Sequence, residues 1–243
     1  AGRLAKEVLQ TQKHDEMLLR QEIAALKTSA FTLSIGATLT AGEHLLAHPL
    51  ALWCKDRPQV KASVSIADTA KLLSLLDKGE IDCALVEGIF DSNKYAWQRW
   101  SRERMVCVKG PTNLSAQNTS PKRKTLSFRE ILKETLIIRE EGSGSRAVLE
   151  AALARHNLAP ESFERVVEAK SLRVALEMTA AGLGITFAYE PAVKEDLAQG
   201  KLIELPLDEE GLDHDICFVW QRTSTFARRY LQLFHELRSY CQE

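Results

Sequence analysis

The stretch GEIDCALVEG, residues 79–88, decides how the chain is read. A polar turn runs into the apolar series Ile81, Cys83, Ala84, Leu85 and Val86 and stops at Glu87 and Gly88. Gly79 suits the end of a preceding helix, since glycine takes up the left-handed conformation without a Cβ clash. The unbroken apolar run suits a parallel strand covered on both faces. In open α/β sheets ligands sit off the carboxyl ends of such strands. The sequence therefore predicts that Glu87 and Gly88 lie near whatever the protein binds.

Similar units repeat on either side of this strand. Residues 31–36 (FTLSIG) alternate as a strand, and 38–40 precede a helical run through Leu45, Leu46, Leu50 and Leu52. After Arg57-Pro58, Val60, Ala62, Val64 and Ile66 share one face of a second strand. Asp68 or Thr69 caps the helix carrying Leu72, Leu73, Leu75 and Leu76, which leads into 82–87. Repeated β-α units predict a parallel sheet. A polar and aromatic loop at 91–97 precedes strand 104–108, a candidate crossover, and 112–124 read as a polar loop whose Lys122-Arg123-Lys124 cluster is solvated.

A second series follows. It comprises a short helix at 128–132, a strand at 135–139, the turn Gly142-Ser143-Gly144-Ser145 and a helix at 146–156. A strand at 166–169, a helix at 172–181 led by Ser171 and ended by Gly182, and a strand at 185–188 come next. Strands at 202–205 and 216–220 precede a closing helix at 226–240 with Tyr230, Leu233, Phe234 and Leu237 on one face. Two similar α/β lobes are implied. Ahead of them, 3–27 contain no Gly or Pro and predict one long helix. Gln12, His14 and Asp15 interrupt its apolar seam, which suits packing against a partner better than standing alone.

Composition narrows the function classes. With 243 residues, 45% hydrophobic and 27% charged, the chain can bury a sizeable core in one large or two small domains. A formal net charge of −1 argues against holding nucleic acid by phosphate neutralisation. No apolar run approaches the roughly 18 residues a membrane span needs, and charges stand where a signal peptide would be apolar, so no membrane contact and a cytoplasmic location are expected. The five cysteines are widely spaced without a C-x-x-C pair, and read as reduced and structural. His44 and His48 share a helix face but lack an evident third ligand, so no metal and no other cofactor is expected. GSGSR provides neither a Gly-x-Ser-x-Gly elbow nor a phosphate loop, and no enzyme is predicted.

Several helix starts are led by hydroxyls: Thr38 and Thr40, Thr69, Ser143 and Ser145, and Ser171. Free N–H groups and the helix dipole at such ends suit a carboxylate or small oxyanion without a full cation. The same hydroxyls equally serve as caps of their own helices. Trp97, Trp100 and Phe187 read either as a wall for a larger ligand or as core.

IGATLT (35–40), GEIDCALVEG, LIIREEGSGSR (136–146) and AAGLGITF (180–187) with Glu190-Pro191, in this order and spacing, resemble the C-terminal effector-binding region of LysR-type transcriptional regulators. The resemblance implies two Rossmann-like lobes of the type II periplasmic-binding-protein kind, joined by two crossover strands around a cleft and preceded by a linker helix. It places the linker and dimerisation helix at 1–28, lobe I at 29–109 with 214–243, and lobe II at 110–213. It also implies a small-molecule effector and a homodimer or tetramer. DNA would be reached only through an N-terminal winged helix-turn-helix that this sequence lacks. The matching site positions are Thr38, Thr40, Asp68, Thr69, Glu87, Ser143, Ser145, Arg146, Lys170 and Ser171, with Arg146 bracing its loop more than touching ligand.

The chain departs from many relatives at Ile66-Ala67-Asp68, which stands where they carry Gly-Asn-Ser or Gly-Asn-Thr. Asp68 and Glu87 thus put acids beside a supposed anion site, and Lys170 is expected to approach Asp68 across the cleft. The IGATLTAGEHLL and LVEG wording is similar to members that sense sulfur-containing anions. A solute-binding protein of a transporter, with the same two-lobed fold, is the alternative reading.

Overall fold

A computed structural model describes residues 9, 12, 13, 15–17, 19, 31–87, 90–111, 125–207 and 212–242. In the leading stretch the described residues are helical, and the rest of the helix expected at 3–27 lies outside them, as do Gly88 and the expected loop at 112–124. The chain divides into two compact units, Ala1–Ser101 with Asp215–Glu243, and Arg102–His214.

Unit 1 opens with β1 (Phe31–Ala37), a π-helical turn (Ala41–Leu46) and α1 (Ala47–Lys55), followed by β2 (Val60–Ile66), α2 (Thr69–Lys78) and β3 (Cys83–Val86). β1 pairs in parallel with β2 on one side and β3 on the other. The stretch that opened the sequence reading is thus an inner strand, with all four β3 residues buried. Asp68 caps α2 through its side chain, and Gly79 ends it at φ 67°. Leu72 and Leu76 press α2 onto Ile81, Ala84 and Val86. A Cβ on Gly36 would come within 2.7 Å of methyls of Leu72 and Ile81, so glycine permits that close approach.

β2 behaves differently. It is an edge strand, and the shared face that its alternation predicts leaves Val64 and Ile66 each 48% exposed.

β4 (Tyr95–Lys109) carries the chain from unit 1 into unit 2. It is 15 residues long and takes in Tyr95 to Trp97, where the sequence predicts a loop. The exposed Arg99, Arg102 and Arg104 conceal the alternation, and the first two face Asp215 and Asp213.

Unit 2 continues with α3 (Phe128–Ile131), β5 (Thr135–Ile138), α4 (Gly144–Arg155), β6 (Arg165–Glu168), α5 (Leu172–Ala180), β7 (Ile185–Tyr189), α6 (Glu190–Ala198) and β8 (Ile203–Leu205). β5 lies between β6 and β7 and is parallel to both, while β4 runs antiparallel to β7 and β8. A capping box between Ser127 and Glu130 starts α3. α6 is absent from the sequence reading because only Val193 on it is buried, although Pro191 in its first turn is a starting signal. At Gly184 an added Cβ would stand 2.0 Å from the carbonyl oxygen of Thr135, so only glycine lets β7 begin against β5.

β9 (Asp213–Gln221) returns the chain to unit 1, where it pairs antiparallel with β3 and leads to α7 (Ala227–Ser239). Tyr230, Leu233, Phe234 and Leu237 form the buried face of α7, as its periodicity predicts. Trp100 stacks on Phe218 and meets Phe234 edge-on, and Phe187 packs on Phe128. Both Trp100 and Phe187 are therefore core and not a ligand wall.

Candidate functional site

In unit 1 the strand register brings four of the predicted residues to one edge. Ala37 at the end of β1 pairs with Ile66 of β2 and Leu85 of β3, so the residues that follow each strand emerge side by side. The Thr38 N–H donates to the Leu85 carbonyl at 3.0 Å, and the Ala67 N–H donates to the Ala37 carbonyl at 3.2 Å. Thr38 consequently stands at the middle strand, with Asp68 following one neighbour and Glu87 the other.

The roles of these residues diverge. Asp68 Oδ1 accepts the Lys71 N–H at 2.7 Å, so this carboxylate is the cap of α2. Thr69 is buried and caps nothing: its hydroxyl donates to the Glu87 carbonyl at 2.5 Å and ties the start of α2 to the end of β3. Glu87 itself is only 4% exposed. Thr38 is 2% exposed, and its Oγ1 has no hydrogen-bond partner among the described residues. An orphaned buried hydroxyl is costly, and in native proteins such groups mark strain or an unseen partner.

Thr40 departs from the expectation. Its backbone is helical and its side chain makes no cap bond, so it lies within the first turn and does not lead it. The turn itself is π-helical, a form that recurs at functional sites. Gly42 lets it press on β2, where a Cβ would come within 2.5 Å of the Ile66 Cδ1 atom.

In unit 2 the corresponding edge follows β5 and β6. The Ala169 N–H donates to the Ile138 carbonyl at 2.8 Å, which brings Arg139-Glu140 and Ala169-Lys170 together beyond adjacent strands. Ser143 and Ser145 are buried, and their hydroxyls share a hydrogen bond of 3.0 Å. Ser143 leads α4 without a side-chain cap bond. Ser171 caps α5 through a 3.5 Å contact with the Val174 N–H, and Lys170 before it is exposed.

Arg146 braces. It donates to Glu150 at 2.7 Å, to the Arg139 carbonyl at 3.0 Å and to Glu168 at 3.1 Å, joining the ends of β5 and β6 to α4. The hydrogen bond it donates to Glu150 is the main reason its guanidinium holds its proton even more firmly than usual. Nearby, burial pushes the Glu140 carboxyl up. The Arg139 guanidinium hydrogen-bonded to it, a backbone hydrogen bond and the charges of Arg139 and Lys170 outweigh this and leave it below its ordinary value.

Two further acids, outside the predicted site, hold local structure. Asp15, one of the polar interruptions in the leading helix, is 6% exposed. It accepts hydrogen bonds from the Ser224 hydroxyl at 3.0 Å, the Thr225 N–H at 2.8 Å and the Thr225 hydroxyl at 2.9 Å. Asp82 accepts the Ser34 N–H at 2.7 Å and fixes the turn before β3. For Asp82 the signal is an acid set between Ile81 and Cys83, whereas Asp15, between His14 and Glu16, carries none.

Among the described residues no group of three or more His, Cys, Asp or Glu side chains is arranged to hold a metal ion, and no helix is long and apolar enough to cross a membrane. The cysteines carry no disulfide, and Cys83, Cys107 and Cys217 are buried.

Residues 28–242 match the family described as the LysR substrate binding domain. The chain is 29% identical over 205 residues to the phosphonates import ATP-binding protein PhnC of Anaeromyxobacter dehalogenans, covering 83% of this chain and 40% of that protein. It is 24% identical over 187 residues to the HTH-type transcriptional regulator CysL of Bacillus subtilis, covering 77% of this chain and 60% of CysL. The chain thus spans only 40% to 60% of the length of these two relatives. In fold it is similar to the regulatory domain of Synechocystis CcmR in complex with 2-PG, at a TM-score of 0.73 and 17% identity over 86% of this chain and 96% of that one.

Proposed function

From the premise that the chain belongs to the LysR family as its substrate-binding domain, we propose that it senses a small anion or carboxylate and controls transcription as part of a longer protein. The observation that carries the anion reading is the Thr38 hydroxyl, buried and without a partner among the described residues, where the parallel strands of unit 1 end and a helix begins. The Ser143–Ser145 pair at the start of α4 and the Ser171 cap of α5 repeat the theme in unit 2. Hydroxyls and helix N–H groups bind an anion through dipoles already in place, at no cost of reorganisation. One relative is named for phosphonates and one structural neighbour carries 2-PG, which supports the same chemistry.

A thermal-shift screen across small carboxylates, phosphonates and inorganic oxyanions tests this reading. A ligand at 100 times its dissociation constant adds roughly 2.7 kcal/mol of stability. Thr38→Val keeps the shape and removes the hydroxyl. The variant is expected to be at least as stable as the parent without ligand, and to bind roughly ten-fold more weakly. If no anion in the panel stabilises the protein, the proposal fails.

The acting unit is a homodimer. Edge strand β2 exposes Val64 and Ile66 in unit 1, and edge strand β6 with α5 exposes Val166 and Val174 in unit 2. Exposed apolar side chains on open strand edges suit association with a second copy. A two-fold arrangement in which each copy's β2 edge meets the other's β6 edge would cover both patches at once. Effector occupancy would then shift the balance between two packings of the dimer. Light scattering on the parent and on Ile66→Lys checks this, with a dimer expected for the first and a monomer for the second.

Delivery of a solute for import is the second reading, raised by the match to PhnC, which is named as an ATP-binding protein of phosphonates import. A transport defect without a change in transcript levels, on deleting the gene, would decide for it. In the first reading the chain has no catalytic role and acts in the cytoplasm.

A further inference from the structure

Resting on the anion-sensing reading, we infer that the effector carries a hydrogen-bond donor, an amino or hydroxyl group, beside its anionic group, and that Glu87 and Asp68 select for that donor. Three observations meet at one edge of unit 1. Thr38 supplies a buried hydroxyl that has no partner among the described residues. Glu87, after the neighbouring strand β3, is a carboxylate with 4% exposure. Asp68, after β2 on the other side, spends Oδ1 on the Lys71 N–H and is a second carboxylate within the same row. Adjacent strands lie about 4.8 Å apart, so the backbone positions of Asp68 and Glu87 fall on either side of Thr38 within the reach of one small molecule.

The chemistry of this row is mixed. A hydroxyl satisfies an anionic oxygen by donating to it, whereas carboxylates only accept. A fully deprotonated oxyanion such as sulfate would present acceptors to acceptors, and like charges at these separations repel even through a partly aqueous medium. An ammonium or hydroxyl group on the ligand converts the same two carboxylates into partners. A site built to accept from a ligand N–H or O–H rejects the analogue that lacks it far more strongly than an apolar pocket rejects a missing methylene. Asp68 and Glu87 are thus the specificity element, and the helix starts are the anion element.

The test uses matched pairs on the chain described here: 2-aminoethylphosphonate against ethylphosphonate, lactate against propionate, and serine against 3-hydroxypropionate, with sulfate and phosphate as bare anions. Binding is read by calorimetry and thermal shift. In at least one pair the member with the amino or additional hydroxyl group is expected to bind roughly ten-fold or more tightly than its counterpart. Glu87→Gln should bring that ratio to within about two-fold, while Thr38→Val weakens both members together. Asp68→Asn keeps the helix cap, because asparagine caps as well as aspartate, and should relax the preference in the same direction. This second variant decides the matter if Glu87→Gln does not fold. Tighter binding of the bare anions, or a ratio unchanged by both substitutions, overturns the inference and leaves the anion reading standing. Failure of every compound to bind overturns the anion reading itself.

Discussion

Asp15→Ala removes one buried carboxylate and strands three donors. The Ser224 hydroxyl, the Thr225 N–H and the Thr225 hydroxyl all point at Asp15 over 2.8 to 3.0 Å. Ser224 also accepts the Phe226 N–H at 3.1 Å, so the carboxylate organises the whole turn that launches α7. A hydrogen bond to a charged group contributes about 1.5–3 kcal/mol net, and a buried N–H left bare costs about 1–3 kcal/mol. The two hydroxyls can rotate to other acceptors, but the backbone N–H cannot. Their loss together is therefore worth about 3 kcal/mol. For a chain of this size that lowers the melting temperature by roughly 6–12 °C if the leading helix belongs to the cooperative unit. Hydrogen exchange gives the sharper readout: amides 225–230 should exchange faster by roughly two orders of magnitude, the rate equivalent of about 3 kcal/mol. Asp15→Asn, which keeps one acceptor oxygen, should fall between parent and alanine. Parent-like exchange across 225–230 in the alanine variant would show that Asp15 does not hold this turn.

Three other outcomes are expected. Gly184→Ala drives a Cβ to 2.0 Å from the Thr135 carbonyl, and backbone cannot yield as a flexible side chain does. A loss of about 2–4 kcal/mol in chemical denaturation is expected, in line with overpacking at a tight contact. Glu140 has a folded-state carboxyl held below its ordinary value, so it contributes stability that is present above the unfolded value of about 4.3 and is lost as pH falls through the folded one. The stability gap between the parent and Glu140→Gln should accordingly be open at pH 7 and close in acid. Burial raises all five thiols, Cys217 to about 11, so at pH 8 a thiol reagent should label exposed Cys241 first, Cys54 more slowly, and Cys83, Cys107 and Cys217 only on unfolding.

Where burial and periodicity coincide, the sequence is a sufficient guide. Cys83–Val86 within GEIDCALVEG is buried on both faces because β3 sits between β1 and β9, and only an inner strand tolerates an unbroken apolar run. Gly79 and Ser171 were legible for a local reason, since the turn chemistry of a helix end depends on few neighbours. Tyr95 to Trp97 and α6 were not, because exposed charges along β4 break the alternation and α6 buries a single apolar residue. The site was legible as a set of positions and not as a set of roles. Nothing in the order Asp68-Thr69 tells which side chain caps α2 and which reaches the Glu87 carbonyl 18 residues away, because that choice is made by the pairing of β1 with both β2 and β3.

The same division of labour bears on how charge is used. In unit 2 Arg146 follows the serine turn, and its guanidinium is engaged by Glu150, Glu168 and the Arg139 carbonyl. It holds the ends of two strands in place and brings its own counter-charges, so it adds little net positive potential to the edge. In unit 1 the ionisable side chains in the row with Thr38 are the acids Asp68 and Glu87. An anion held under these conditions draws its affinity from hydroxyls and helix N–H groups, whose dipoles act at contact distance and are little affected by a screening length of about 8 Å at physiological ionic strength. Effector binding should then vary little between low and physiological salt. A site relying on a free arginine would lose affinity over the same range. The acids of unit 1 have a place in such a site because a dipole-based anion hold leaves the choice among ligands to the donors those ligands carry.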